Sequence, residues 1–383
     1  MSRNLRGATA IVGAGLGGAP MAPGRGALEI QAEAVYRALS DAGLSVRDVD
    51  GIFTGSSHHF MPALSTAEYL GIHPRFSDST MIGGASFVGH LLPAALALRA
   101  GLCDVALICY GSNQGSGFGK LKSMSETQTY EAPYEPRYPV SSYALAAARH
   151  MHAYGTRRED LAEVAVAARK WAQLNPEAYA RDDLTLEQVL NARMVSDPLS
   201  VLDCCLVTDG GGALILVRAE RARDFPQPPV YVLGAAMAHW HRQISALPDI
   251  TVTAAAESGP RAFAMAGLRP ADVDVAELYD AFTINTILFL EDLGFCGKGE
   301  GGAFVRDGAL APGGRLPVNT NGGGLSCCHP GMYGIFLLIE AVRQLRGQAG
   351  ARQVAGAEVA LCHGNGGVLS SQVTALLGTA AAL

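Results

Sequence analysis

The chain has 383 residues, 49% of them hydrophobic and 17% charged, and a formal net charge of −6. That length supports about two domain-sized units, and an acidic balance with no basic block excludes electrostatically driven nucleic-acid binding. Eight cysteines, among them the adjacent pairs Cys204-Cys205 and Cys327-Cys328, lack the spacing of a secreted disulfide framework and indicate reduced thiols in a cytoplasmic setting.

In chain order, Ile11-Val12-Gly13-Ala14 reads as a first buried strand rather than a signal peptide. Gly13-Ala14-Gly15-Leu16-Gly17-Gly18 imitates a dinucleotide fingerprint. However, Pro20, Pro23 and Gly26 delay the helix that would present its N-terminus to a pyrophosphate, so a flexible loop is expected and NAD binding is rejected. Residues 27–43 carry an apolar stripe at helical spacing and end at Gly43. Gly83 to Gly101 predicts a second, buried helix leading into the strand Asp104 to Cys109. Arg99 and Asp104 break this apolar stretch, so it is not a membrane span.

The second half repeats these elements. Ala42-Gly43-Leu44 with Asp48-Val49-Asp50 returns as Ala266-Gly267-Leu268 with Asp272-Val273-Asp274, 224 residues later. Val232 to Ala235 answers the first strand, 252–267 the first helix, Gly334 to Leu345 the buried helix, and Glu358 to Cys362 the following strand. Two α/β halves follow, 1–225 and 226–383, with a seam at Asp224 to Pro229. Residues 112–200 have no counterpart and form an insertion: a polar loop from Gly115 to Pro139, then helices to about Asn191.

Four motifs could carry chemistry. Asn319-Thr320-Asn321-Gly322-Gly323-Gly324, followed by His329-Pro330-Gly331-Met332-Tyr333-Gly334, lets backbone approach a ligand and sets a histidine on the loop, which favours function. Cys362-His363-Gly364-Asn365-Gly366-Gly367 ends a strand, where ligands of open sheets sit, but a buried strand-end thiol fits equally well. Leu278-Tyr279-Asp280-Ala281-Phe282-Thr283 is weak alone, because a buried tyrosine with a satisfied hydroxyl explains it. Cys327-Cys328-His329 with Cys362-His363 raises zinc, yet adjacent cysteines rarely aim at one ion, and no metal is expected.

Together these residues resemble the thiolase superfamily over essentially the whole chain. The family's Asn-Glu-Ala-Phe, Gly-His-Pro and Cys-x-Gly motifs fall on Tyr279-Asp280-Ala281-Phe282, Cys328-His329-Pro330 and Cys362-His363-Gly364. The resemblance is strongest to sterol-carrier-protein-x-type and lipid-transfer-protein-like members. It implies an α/β, thiolase-like fold of two duplicated halves in an α-β-α-β-α layering. It also implies catalytic roles at Tyr279, His329, Tyr333, Cys362 and His363, and substrate contacts from Gly84, Ser86, Asp280, Asn321, Gly323 and Gly366. Ser86 itself reads as structural.

The departures set the chemistry. A thiolase nucleophile would stand near residue 84, at the start of the buried helix; this chain has Gly84 there and no cysteine before Cys103. Tyr279 replaces the family's asparagine, and Tyr333 adds a second phenol. This combination resembles thiolase-like aldolases of bacterial steroid side-chain degradation, which cleave a β-hydroxyacyl-CoA beside a small zinc-ribbon/OB-fold partner. The resemblance implies a retro-aldol reaction without an acyl-enzyme. His329 would then stabilise the enolate, Tyr279 and Tyr333 would move protons, and Cys362 or His363 would protonate carbon. Coenzyme A enters only as part of the substrate, no separate cofactor is implied, and a homodimer is expected. Tyr130, Tyr134 and Tyr138 are candidate contacts for the partner. Two rivals stay open: an acyltransferase using Cys362, and a non-catalytic acyl-CoA or lipid-binding subunit.

Overall fold

The computed structural model describes residues 5–119 and 130–383; the middle of the Gly115–Pro139 loop lies outside them. Nine strands form one mixed sheet. From edge to edge they are Phe76–Asp78, Gly51–Thr54, Ala106–Ser112, Gly210–Arg218, Thr9–Gly17, Val230–His239, Ser371–Gly378, Val359–Gly366 and Val275–Leu278. The first five precede residue 225 and the last four follow it. The half-sheets join through the pairing of Ala10 with Tyr231 and Ile11 with Val230. The order of one half mirrors the other about this join, and even the short edge strand 76–78 has an answer in the parallel bridge of Ala276 with Val318.

The repeated segment explains why both halves fold alike. Gly43 and Gly267 end their helices at φ 68° and 66°, a left-handed conformation that glycine adopts without strain. Each chain then makes one 3₁₀ turn, in which Asp48 accepts from the Ser45 N–H and Asp272 from the Arg269 N–H, both at 2.8 Å. Asp50 next accepts from the N–H groups of Asp104 and Val105, and Asp274 from those of Glu358 and Val359. Each aspartate therefore stitches its own short strand to the start of its parallel neighbour.

Helix Ala27–Ala42 covers strands 9–17, 106–112 and 210–218 on one outer face. Helix Ala255–Ala266 covers strands 230–239 and 371–378 on the other. Between the half-sheets lie Ser86–Gly89, Leu91–Arg99 and Gly334–Leu345, which complete five layers. Two expectations change here. The glycine-rich segment is strand rather than loop: a Cβ on Gly13, Gly15 or Gly17 would lie 2.3–2.5 Å from the carbonyls of Ala38, Ala34 and Ile30. Those glycines let helix 27–42 sit directly on the strand, so the false fingerprint is a packing surface. The second buried helix begins at Ser86 rather than Gly83 and is interrupted at His90.

The insertion supplies helices Val140–Tyr154, Arg158–Gln173 and Leu186–Leu190. Among the described residues no helix is long and apolar enough to cross a membrane.

Candidate active site

Strand Val275–Leu278 ends at Tyr279, whose N–H donates to the His363 carbonyl at 3.0 Å. Tyr279 is thus held where one parallel strand ends against the next, and helix Thr283–Asp292 starts four residues later. Its hydroxyl accepts from the Tyr333 N–H at 3.0 Å and lies 3.1 Å from His329 Nε2 and 3.4 Å from the Gly331 carbonyl. The Tyr279 ring stands edge-on to both His329 and Tyr333. The Tyr333 ring stacks on Phe336, and its hydroxyl donates to Asn321 Oδ1 at 2.9 Å.

The space around Gly84 is the most informative feature. A Cβ built on Gly84 would lie 2.3 Å from Tyr279 Oη and Cε2 and 2.4 Å from Cζ. The phenol of half two therefore fills the place where residue 84 would carry a side chain. Gly84 also accepts from the Gly334 N–H, so the two buried helices start against each other.

Protonation follows from burial. Desolvation pushes Tyr279 and Tyr333 well above the usual phenol range, so both are neutral donors at rest. Burial lowers His329 to about 4, so its imidazole is neutral. The Tyr279 hydroxyl faces two acceptors, His329 Nε2 at 3.1 Å and the Gly331 carbonyl at 3.4 Å; when the phenol donates to Nε2, the neutral imidazole carries its one proton on Nδ1. That nitrogen is buried and has no hydrogen-bond partner among the described residues.

The surrounding loop holds this arrangement. Asp280 accepts from the Gly324 N–H at 2.6 Å and the Leu325 N–H at 3.3 Å, and a Cβ on Gly323 would strike its carboxylate. Desolvation raises Asp280 to about 7 despite those bonds. Asn321 Oδ1 also takes the Gly323 N–H. Two contributors carried no sequence signal. Tyr110 donates to the Pro330 carbonyl, and the Gln114 amide packs where a Cβ on Gly331 would stand, so both fix the His329–Gly331 turn.

Other candidates fall elsewhere. Ser86 accepts from the Ile82 N–H and donates to the Gly83 carbonyl, tying the turn that starts its helix. Gly366 packs against the Ile82 carbonyl, so it shapes the Gly83–Gly84 turn from behind. Strand Val359–Gly366 runs past Cys362 and His363, placing them in its interior instead of at its end. Cys362 is fully buried, with its thiol 3.5 Å from the Leu337 carbonyl and pushed well above the usual range by desolvation. His363 turns to the opposite face, where Thr374 and Gln372 engage both ring nitrogens. Neither side chain joins the Tyr279–His329–Tyr333 cluster, because alternation along an interior strand sends each into packed core.

Among the described residues no three His, Cys, Asp or Glu side chains are grouped to hold a metal ion. A surface cavity of about 510 Å³ is lined by Tyr130, Arg242, Gln243, Ser245 and Ala246. Next to Arg242, His241 Nε2 donates to the Val368 carbonyl, and Gly366–Gly367 pack against Gly83.

Residues 236–379 match the family model for the thiolase C-terminal domain. The chain is 37% identical to 17-hydroxy-3-oxo-4-pregnene-20-carboxyl-CoA lyase of Mycobacterium tuberculosis, over 96% of this chain and 98% of the relative. It is 38% identical to an acetyl-CoA acetyltransferase of Methanothermobacter thermautotrophicus, over 88% of this chain and 90% of that one. The solved Ltp2-ChsH2(DUF35) aldolase superposes with a TM-score of 0.89 at 36% identity, covering 98% of both chains. The lyase and the acetyltransferase match this chain at similar identity. The chain belongs to the thiolase superfamily, in the branch that includes steroid side-chain-cleaving aldolases.

Proposed function

We propose that this chain cleaves a β-hydroxyacyl-CoA by a retro-aldol reaction and never holds the acyl group covalently. The observation that carries the reading is the Tyr279 hydroxyl seated in the space of a residue-84 side chain. Acyl transfer needs a thiolate beside a base at that point, and a phenol stands there instead.

The bonds around Tyr279 give the proton a path. The substrate β-hydroxyl gives its proton to Tyr279 Oη while the phenol proton passes to His329 Nε2. The Cα–Cβ bond breaks, a carbonyl forms at Cβ, and the electron pair becomes the thioester enolate. Protonating Nε2 makes His329 cationic as its unpartnered Nδ1–H meets the growing charge on the enolate oxygen. The proton then returns through Tyr279 to the enolate carbon. Tyr333 supplies the N–H that polarises Tyr279, and its own hydroxyl, held by Asn321, keeps the ring in place.

The cavity beside Arg242 and Tyr130 suits the phosphate and adenine ends of coenzyme A, because it joins one cation and one aromatic ring. Eight free cysteines fit a reducing, cytoplasmic compartment. A homodimer is supported by strand Phe76–Asp78, which is paired on one side only, and by the exposed Phe60, Met61 and Leu64 near it. Tyr134 is strongly exposed and available to a zinc-ribbon/OB-fold partner.

The test is Tyr279→Phe assayed by release of carbonyl product from a β-hydroxyacyl-CoA. The expected loss is ~10²–10³ in kcat with little change in KM, the usual cost of removing a transition-state donor. Full activity in Tyr279→Phe would remove the basis of the reading.

A further inference from the structure

His363 leaves a buried chain of hydrogen bonds that the proposed reaction does not use. Its Nε2 lies 2.8 Å from Gln372 Oε1, which can only accept, so Nε2 carries the proton and Nδ1 must accept from the Thr374 hydroxyl at 2.9 Å. Thr374 in turn accepts from Ser258 at 2.9 Å. In the other direction Gln372 Nε2 donates to Asn365 Oδ1 at 2.8 Å, and Asn365 Nδ2 donates to the Tyr143 hydroxyl at 2.9 Å. The direction of every hydrogen bond from Ser258 to Tyr143 is therefore assigned. The chain fixes one lone pair of Tyr143 and leaves its proton on a longer, 3.2 Å contact to the Gly367 carbonyl.

Tyr143 borders the reaction site. Its ring stacks on Phe282 at 4.4 Å, three residues after Tyr279. Gly367, its acceptor, is 2.8 Å from where a Cβ on Gly83 would stand, directly before Gly84. Desolvation pushes the Tyr143 phenol up to about 12; the Asn285 amide lies within long reach of its hydroxyl but reaches full hydrogen-bond geometry at neither polar atom among the described residues, and Asn285 is 0% exposed. The buried hydroxyl of Thr286, the next residue, also lacks a partner. Buried amides are nearly always fully bonded, so one without a well-formed bond at either end, beside a phenol whose proton is held only by a 3.2 Å contact, marks a place for a ligand oxygen.

We infer that Tyr143 and Asn285 form a second oxygen-binding pole of the site, which holds the carbonyl fragment, and that His363 positions this pole through Gln372 and Asn365. The assignment rests on the retro-aldol reading for the identity of the fragment. The ketone or aldehyde oxygen would accept from Tyr143 and the Asn285 amide, while the thioester oxygen remains with His329. His363 is a positioning residue, distant from the reacting atoms.

The experiment measures binding of cyclohexanone, with coenzyme A present, by ligand-observed NMR, and KM for cyclohexanone and acetyl-CoA in the condensing direction. Asn285→Leu and Tyr143→Phe are each expected to weaken cyclohexanone by about tenfold, a factor equivalent to about 1.4 kcal/mol, while leaving the KM for acetyl-CoA unchanged. Asn285→Leu keeps the side-chain volume and removes an unsatisfied amide, so its melting temperature should hold or rise. His363→Phe should reproduce the cyclohexanone loss, and adding Tyr143→Phe to it should cost nothing more, whereas a merely structural histidine would give additive losses. Absence of cyclohexanone binding in the unmodified protein, unchanged affinity in Asn285→Leu and Tyr143→Phe, or additive losses each overturn the inference. Ketone binding that depends on Asn285 in a protein without carbon–carbon cleavage would sink the retro-aldol reading and leave the pole standing.

Discussion

Gly84→Ala is the sharpest perturbation available, because a single methyl group meets the proposed catalytic phenol head-on. The added Cβ would lie 2.3 Å from Tyr279 Oη, where ordinary contacts begin near 3.4 Å, so the ring must retreat by about 1 Å. The phenol cannot retreat without stretching its 3.0 Å bond from the Tyr333 N–H and its 3.1 Å bond to His329. Overpacking of this kind costs about 1–3 kcal/mol of stability. A displacement of about 1 Å at the reacting group costs about 10² in rate. The assay pairs a thermal melt with kcat/KM on a β-hydroxyacyl-CoA. Combining Gly84→Ala with Tyr279→Asn should restore the melting temperature, since the shorter side chain clears the methyl, and should leave activity low. If Gly84→Ala keeps its rate within about threefold, the phenol does not work from that position.

Asp280 gives a pH signature. Its folded pKa, raised by desolvation to about 7, exceeds its ordinary 3.8, so the folded state binds the proton more tightly than the unfolded one. Its contribution is therefore full below the unfolded value and lost as pH rises through about 7; denaturant melts should show the wild type losing stability relative to Asp280→Asn across that window. Cys362→Ala should lower stability through a small cavity yet leave kcat unchanged, as the thiol faces the Leu337 carbonyl inside the core; a large fall in kcat would revive the acyltransferase reading. Arg242→Ala should raise KM for the CoA ester and lower its salt dependence without changing kcat, if the cavity beside it receives the phosphates.

The duplication was legible because Asp50 and Asp274 do the same local work, and local work leaves a local pattern. The glycine at residue 84 was found by counting along a helix, and Tyr279 and Tyr333 by their departure from a family motif. Three kinds of information were hidden. Gly13, Gly15 and Gly17 looked like a ligand loop because sequence does not distinguish close approach to a phosphate from close approach to a helix backbone. Cys362 and His363 looked like a strand end, but glycines 364 and 366 continue the ladder, pairing with Val373 and Ser371. Tyr143 and Asn365 are separated by 222 residues, and Asn285 sits in an apolar helix with no motif around it; only the fold brings them together.

The central claim is that carbon–carbon cleavage proceeds with no acyl group on the protein. Intact-mass spectrometry of enzyme quenched during turnover of a β-hydroxyacyl-CoA tests it directly. The account expects unmodified protein alongside released carbonyl product and shortened acyl-CoA. A mass increment matching the acyl group, mapped to Cys362 or to the partly exposed Cys205, would contradict it.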